Sequence, residues 1–431
     1  MPRLGDFGPG GDSLQSGYDR RRTLALLGAL CFFLSAVEFL IPKPLPFMRI
    51  GLANMPLLLA LNILGAKDFF LLTVLKVLGQ GLIGGTFLSF IFLFSIAGTF
   101  TSATVMYALS RMPGRRYLGF AGIGCAGAMV SNGVQLLFAR HLVFGEAVRY
   151  LTPPFLAAGF VTGVALGIIC EYFCRHSRWY AMRVRRVGNL GEGRVPGDAN
   201  LGSPRGENQT QIWNDYPPGG DQIVSREERR SRRWDGLFNA DELFVAGLLM
   251  ALIFLYDRSL PGLLTHFTFF CILVRVSGRR NNYLATAAFI AGIVFFNLLV
   301  PHGRVLLALG PLQVTQGSLF AGLERAVTLS GLMMLSRVCV RNDLRLPGAI
   351  GSLLAEALRM LELMRGKIPM LRGKGRGRVL AVIDSIMLDV ETADPGDPSR
   401  GKPARNVKGI LLLLAIVLLT LAIRFWLAFI V

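Results

Sequence analysis

Lys76, Gln80 and Gly84 recur every fourth residue inside an apolar run, so a helix there sets an ammonium, a carboxamide and a bare backbone patch on one face. Thr73 falls on the same side, three residues before the lysine. An ammonium placed in hydrocarbon costs at least ~2.5 kcal/mol on insertion scales. Three readings of Lys76 stay open: it pairs with an internal carboxylate or carbonyl and locks helices together, it faces a bound molecule, or it snorkels to an interface. Gly79, Gly81, Gly84 and Gly85 would let a helix or a ligand approach the backbone closely. The Gly79-Gln80-Gly81 group is no nucleotide loop, because no strand precedes it and no GxxxxGK[ST] occurs in the chain.

Other polar residues sit in similar company. Asn54 suits a helix N-cap and Pro56 the first helical turn, so Gly51–Pro56 reads as a helix start, which can also bind an anion. Asn62, Glu38, Asn132, Gln135 and Glu171 lie within apolar stretches, where each can bridge helices or face a cavity. Glu324 and Arg325 are adjacent, hence on different helix faces, and are expected to pair with different helices. Candidate ligand-binding residues are Asn54, Lys76, Gln80, Gly84 and Asn132. No HExxH, GxSxG or DDxxD is present, so the sequence offers no catalytic set, no metal site and no cofactor site. Asp384 and Asp389 are too isolated to stand in for a Mg²⁺-diphosphate motif.

These residues need helices in a bilayer to position them. Of 431 residues, 52% are hydrophobic and 17% charged, and mean hydropathy is +0.50. Runs of about 18 apolar residues or more cross a hydrocarbon core as helices. The expected fold is all-α and polytopic, with about eleven membrane helices in two bundles (6 + 5). Residues 1–19 form a disordered tail. The first bundle spans 20–175, with helices at 23–41, 54–65, 68–85, 87–110, 117–139 and 154–174. A disordered cytoplasmic linker, 176–239, is too polar and Gly/Pro-rich to bury a core. The second bundle, 240–431, has helices at 241–256, 261–275, 283–300, 317–339 and 409–431, with amphipathic cytoplasmic helices at 348–364 and 379–390.

Arg20, Arg21, Arg22, Lys67, Arg111, Arg115, Arg116 and Arg175 fall on one side of this arrangement, which the positive-inside rule makes cytoplasmic. Arg279 and Arg341 mark cytoplasmic turns of the second bundle. The loop Pro42–Arg49 and the end of the Lys76 helix then lie outside, lining a site that opens outward. The net charge of +19 reflects loop composition rather than nucleic-acid binding. Six scattered cysteines without a CxxC give no disulfide or metal framework. The chain is expected in the cytoplasmic (inner) membrane, with its N-terminus in the cytoplasm.

The run Gly51-Leu52-Ala53-Asn54, then Lys76 before a Gly-rich turn, then Ser95-Ile96-Ala97-Gly98 resembles the family called heptaprenyl diphosphate synthase component I, also the Gx transporter family. The likeness covers residues 24–172, with Lys76 where that family more often has arginine. It implies an S component of an energy-coupling-factor transporter, a six-helix substrate-binding membrane protein. The second half resembles the T component of such transporters, through Gly322-Leu323, Asp343-Leu344 and the cytoplasmic amphipathic helices. Met364-Arg365-Gly366 and Leu371-Arg372-Gly373 resemble its coupling motifs, which implies that Arg365 and Arg372 contact separate ABC-type ATPases carrying the ATP. The expected function is then a fused substrate-binding and coupling subunit moving a small solute, a vitamin-like or a lipid-like molecule. The alternative takes the family name literally: a non-catalytic membrane subunit presenting a prenyl diphosphate to a soluble prenyltransferase.

Overall fold

The computed structural model describes residues 10–40, 51–112, 119–192, 230, 234–257, 259–279, 281–309, 312–341, 344, 347–366, 379–392 and 406–430. The first half contains α1 (Gly10–Leu40), α2 (Met55–Ala60), α3 (Ala66–Gly84), α4 (Phe90–Arg111), α5 (Phe120–Ala139), α6 (Val148–His176) and α7 (Arg178–Glu192). The second contains α8 (Ala240–Tyr256), α9 (Leu260–Val276), α10 (Tyr283–Leu298), a hairpin of β1 (Val305–Leu309) and β2 (Leu312–Thr315), α11 (Gln316–Cys339), α12 (Gly348–Gly366), α13 (Val379–Thr392) and α14 (Val407–Ile430).

Helices dominate, and several are long and apolar enough for a bilayer, as in a helical membrane protein. By length and apolarity, 4 helical stretches among the described residues can cross: Phe90–Arg111, the α5–α6 stretch Phe120–His176, Gln316–Cys339 and Val407–Trp426. The expected count of eleven is not reached on these criteria. One reason is α2, which Pro56 starts and a turn at Leu61–Ile63 stops after 6 residues. At 1.5 Å per residue it rises about 9 Å, well short of a crossing.

Within the first half, α3 runs parallel to α1. Arg20 holds Asp68 at one end with its Nε at 2.5 Å, and Gln80 donates to Ser35 at 3.0 Å near the other. Asp68 in turn keeps the Arg20 guanidinium above its ordinary pKa, first by hydrogen bonding and then by charge. The helices approach closely because glycine lacks a Cβ: one built on Gly79 would sit 1.8 Å from the Phe32 ring. The pair α5 and α6 is tighter still. A Cβ on Gly167 would lie 2.3 Å from Ala121 Cα, and one on Gly163 2.9 Å from Cys125 Cα. Gly163 and Gly167 form a GxxxG, the spacing that lets membrane helices touch backbone to backbone.

The amphipathic stripe of the second half finds its partner in the first. On α12, Leu353, Leu354, Ala357, Met360, Leu361 and Met364 are buried in one core with Leu24–Leu34 of α1 and the inner face of α3. Arg21 reaches Glu356 at 2.9 Å. Ile350, in the first turn, is exposed. Helix α13 adds Val382, Ile383, Ile386, Met387 and Val390 to the same core. Because α12 and α13 cover it, α1 is buried around its whole circumference from Thr23 to Leu34.

The segment expected to begin the linker is also ordered. Helix α7 packs Trp179 and Tyr180 into that core, and Arg183 pairs with Glu391 of α13. Asp384 caps α7: its carboxylate accepts from Ser177 Oγ and from the Arg178 and Trp179 amides, each at 3.1 Å. A carboxylate on these otherwise unbonded donors favours the helix start through hydrogen bonds and the helix dipole. Asp384→Ala is expected to release Arg178–Glu192, costing about 1–2 kcal/mol. Faster amide exchange confined to those residues would show it, and unchanged exchange would refute the cap.

Helix α11 does not stand beside the first bundle but runs across one end of it. The Leu88 amide donates to Ser336 Oγ at 3.2 Å, and Gly85 lies against Arg337. Further along α11, Arg325 donates to Asn297 at 2.9 Å and towards the Val143 carbonyl at 3.4 Å. Asn297 also donates to Val143 O at 3.3 Å. Residues 85–89 and the short π- and 3-10-helical connection 140–147 lie at the same end of the first bundle. That end, expected to open outward, is covered by α11.

Candidate functional site

Asn54 occupies the N-cap position of α2 but makes no side-chain cap. Its Oδ1 instead accepts from Lys76 Nζ. Lys76 is 3% exposed, so the ammonium stays in the bundle and does not snorkel. Gly51 makes this possible by adopting a left-handed conformation (φ 86°), which swings a short 3-10 turn, Leu52–Asn54, towards α3. Thr73 turns back to Phe69 O at 2.9 Å and takes no part.

Lys76 and Asn54 sit on the wall of a cavity in the first bundle. Gln80 and Asn132 line it too, so four of the five candidate residues share one chamber. The fifth does not. Gly84 ends α3, where Gly85 at φ 57° closes the helix, and it lines a separate basic groove with Arg279, Asn281 and Arg337. The eighth residue after Lys76 shares its face but lies beyond the chamber's depth. Arg365 is exposed on the last turn of α12. Arg372 and the loop Pro42–Arg49 lie outside the described residues.

The chamber is polar for a site in a bundle. Glu38, 5% exposed, supplies a carboxylate, and Ser95, Thr99, Ser102, Ser131, Gln135 and Thr162 supply hydroxyl and amide groups. Asn132 donates to Phe155 O at 3.0 Å and Gln135 to Ser131 Oγ at 3.0 Å. Two buried atoms on its wall, Gln80 Oε1 and Ser102 Oγ, have no hydrogen-bond partner among the described residues. The hydroxyl-bearing positions on α4, Ser95, Thr99 and Ser102, fall at helical spacing, a signal the candidate set did not use. Among the described residues one ammonium and one carboxylate line the chamber, so it can bind through hydrogen bonds and paired charge.

A second cavity adjoins the first. Ser95 and Gln135 line both, and the rest of its wall is apolar: Phe90, Phe94, Leu136 and Phe144 from the first half, with Phe289 and Leu329 from α10 and α11.

All the residues that line the polar chamber lie between Glu38 and Leu166, and it is this stretch that comparison with known families places. Residues 27–173 match the family described as heptaprenyl diphosphate synthase component I. The resemblance carried by Gly51–Asn54, Lys76 and Ser95–Gly98 is therefore shown for the first bundle. Residues 243–342 match a domain of unknown function (DUF8519), which carries no transporter description. No curated protein and no solved structure matches the chain.

Proposed function

We propose that the chain is a non-catalytic membrane component that holds a small molecule in its first bundle and acts with a soluble prenyltransferase, as the family's description implies. The observation that carries this reading is the coincidence of the matched segment with the polar chamber. The absence of DDxxD in the sequence fits a subunit that leaves the condensation to its partner. The chain would sit in the cytoplasmic membrane with its N-terminus, α7, α12 and α13 on the cytoplasmic side, where a soluble partner can dock.

One observation favours a second reading, an ATPase-driven transporter. Arg365 is exposed on a helix whose opposite face is buried in the first bundle. On that face Ala357 lies beside Gly28, itself against Leu75, the neighbour of Lys76. A push on the exposed face of α12 would thus reach the chamber through packed side chains. Recovery of the tagged, full-length protein from its native membranes separates the two. A co-purifying soluble prenyltransferase is the expected result. ABC-type ATPases in its place would overturn the first reading and support the second. In that case Arg365→Glu with Arg372→Glu is expected to abolish ATPase recovery; full recovery would remove both arginines from the coupling role.

A further inference from the structure

We propose that the polar and apolar cavities are two chambers of one site for an amphiphile with a near-neutral, hydrogen-bond-donating head and an apolar tail. The inference deepens the reading above only in taking the first-bundle chamber as the ligand site, and it requires no partner protein. The head sits in the polar chamber and the tail passes Ser95 and Gln135 into the space between the bundles.

The head's chemistry follows from what the chamber offers. Among the described residues the charged groups on the lining are Lys76 and Glu38, one of each sign. A diphosphate, with two or three negative charges, would find one ammonium and one carboxylate among these groups, too little positive charge to balance it. Gln80 Oε1 is an acceptor with no donor among the described residues, and Ser102 Oγ likewise has no partner. An unsatisfied buried acceptor favours a ligand that donates. A diphosphate ester fully ionised offers acceptors only, whereas an alcohol or amine head supplies an N–H or O–H.

The tail's place follows from the shared wall. Ser95 and Gln135 are the polar residues on the otherwise apolar lining of the second cavity, and both also line the first. Gln135, bonded at 3.0 Å to Ser131 Oγ one turn earlier on α5, stands where the two chambers adjoin, so they meet at a flexible side chain. Beyond it, aromatic and aliphatic groups from both bundles form one buried cluster that includes Leu136, Phe144, Phe289 and Leu329. Each methylene buried there is worth about fourfold in affinity, so a long tail outweighs a short one with the same head.

The test uses full-length protein in lipid nanodiscs and a farnesol analogue with a diazirine at the tail end. Photolabel is expected on α10 and α11 near Phe289 and Leu329, as well as near Phe94 or Phe144. Farnesol should compete for labelling at least tenfold better than farnesyl diphosphate and at least tenfold better than prenol, its short-chain counterpart. Leu136→Trp, which fills the tail chamber from the first bundle, should weaken farnesol at least tenfold while leaving prenol unchanged. Leu329→Trp makes the same test from the second bundle if the first variant does not fold. Stronger competition by the diphosphate, label confined to lipid-facing residues, or farnesol competition unaffected by a folded Trp variant would each overturn the proposal. Recovery or loss of a prenyltransferase partner leaves all these outcomes unmoved, so the two readings fail separately.

Discussion

Lys76→Met is expected to lower retention of the chamber's ligand at least 100-fold while the protein still inserts and folds. Methionine keeps the unbranched length of the side chain and removes only the ammonium. The loss leaves Asn54 Oδ1 without the donor it now has, a cost of about 1–3 kcal/mol to the fold. That cost is partly offset because a buried charge no longer has to be desolvated. The ligand, by contrast, loses the one cation that the described residues place on the chamber wall. Small molecules extracted from purified wild type and variant, quantified by mass spectrometry, give the retention, and thermal unfolding gives the fold. Lys76→Arg should restore retention to within about tenfold, because it keeps charge and donors. Equal retention by wild type and Lys76→Met would assign Lys76 to helix packing alone.

Gly167→Val should be the most damaging single substitution in the first bundle. Even the first added carbon would lie 2.3 Å from Ala121 Cα and 2.4 Å from Phe120 O. These are backbone atoms of α5 and cannot swing aside as a side-chain tip can. Overpacking a well-packed core costs about 1–3 kcal/mol, and a clash with backbone at two points forces the helices apart. The chamber would open with them, since Gly124, Ala128 and Asn132 of α5 and Gly163 of α6 share its wall. Fluorescence-detected size exclusion should show the monodisperse peak lost. Gly133→Ala is the control: nothing lies within 4 Å of its added carbon, and it should run as wild type. A monodisperse, ligand-retaining Gly167→Val would show that the two helices are not held as tightly as described.

Patterns within one helix are legible in the sequence, whereas contacts between distant segments are not. Lys76, Gln80, Asn54 and Asn132 could be named in advance because a polar group in an apolar run must face something other than lipid. Their meeting in one chamber follows from that constraint on each of them. Gly84 met the same helical spacing and still fell outside, because periodicity gives direction around α3 and says nothing of depth along it. The apolar stripe on α12 was legible as a stripe, but such a stripe demands burial without naming the surface that provides it. Asp384 looked isolated because Ser177 and Arg178, which it caps, lie 207 and 206 residues away along the chain. The shortness of α2 depended on a turn at Leu61–Ile63, a run that, Asn62 apart, is as apolar as the helix before it. The GxxxG at Gly163 and Gly167, in contrast, was available to be read and names the close contact directly.

The burial of α1 by α12 and α13 also bears on how the chain is made. Helix α1 leaves the ribosome among the first segments, yet among the described residues one of its sides is covered by α12 and α13, near the end of synthesis. At about 5–20 residues per second, the interval between the end of α6 and the end of α13 is roughly 10–40 s. Through that time the nascent first bundle carries an uncovered apolar strip on its inner side, a surface that invites misassociation. The gene's two halves are thus joined by more than convenience of expression: the last-made helices complete the first-made one. Held on one polypeptide, they arrive at high effective concentration and in fixed proportion, which two separate chains would have to achieve by encounter.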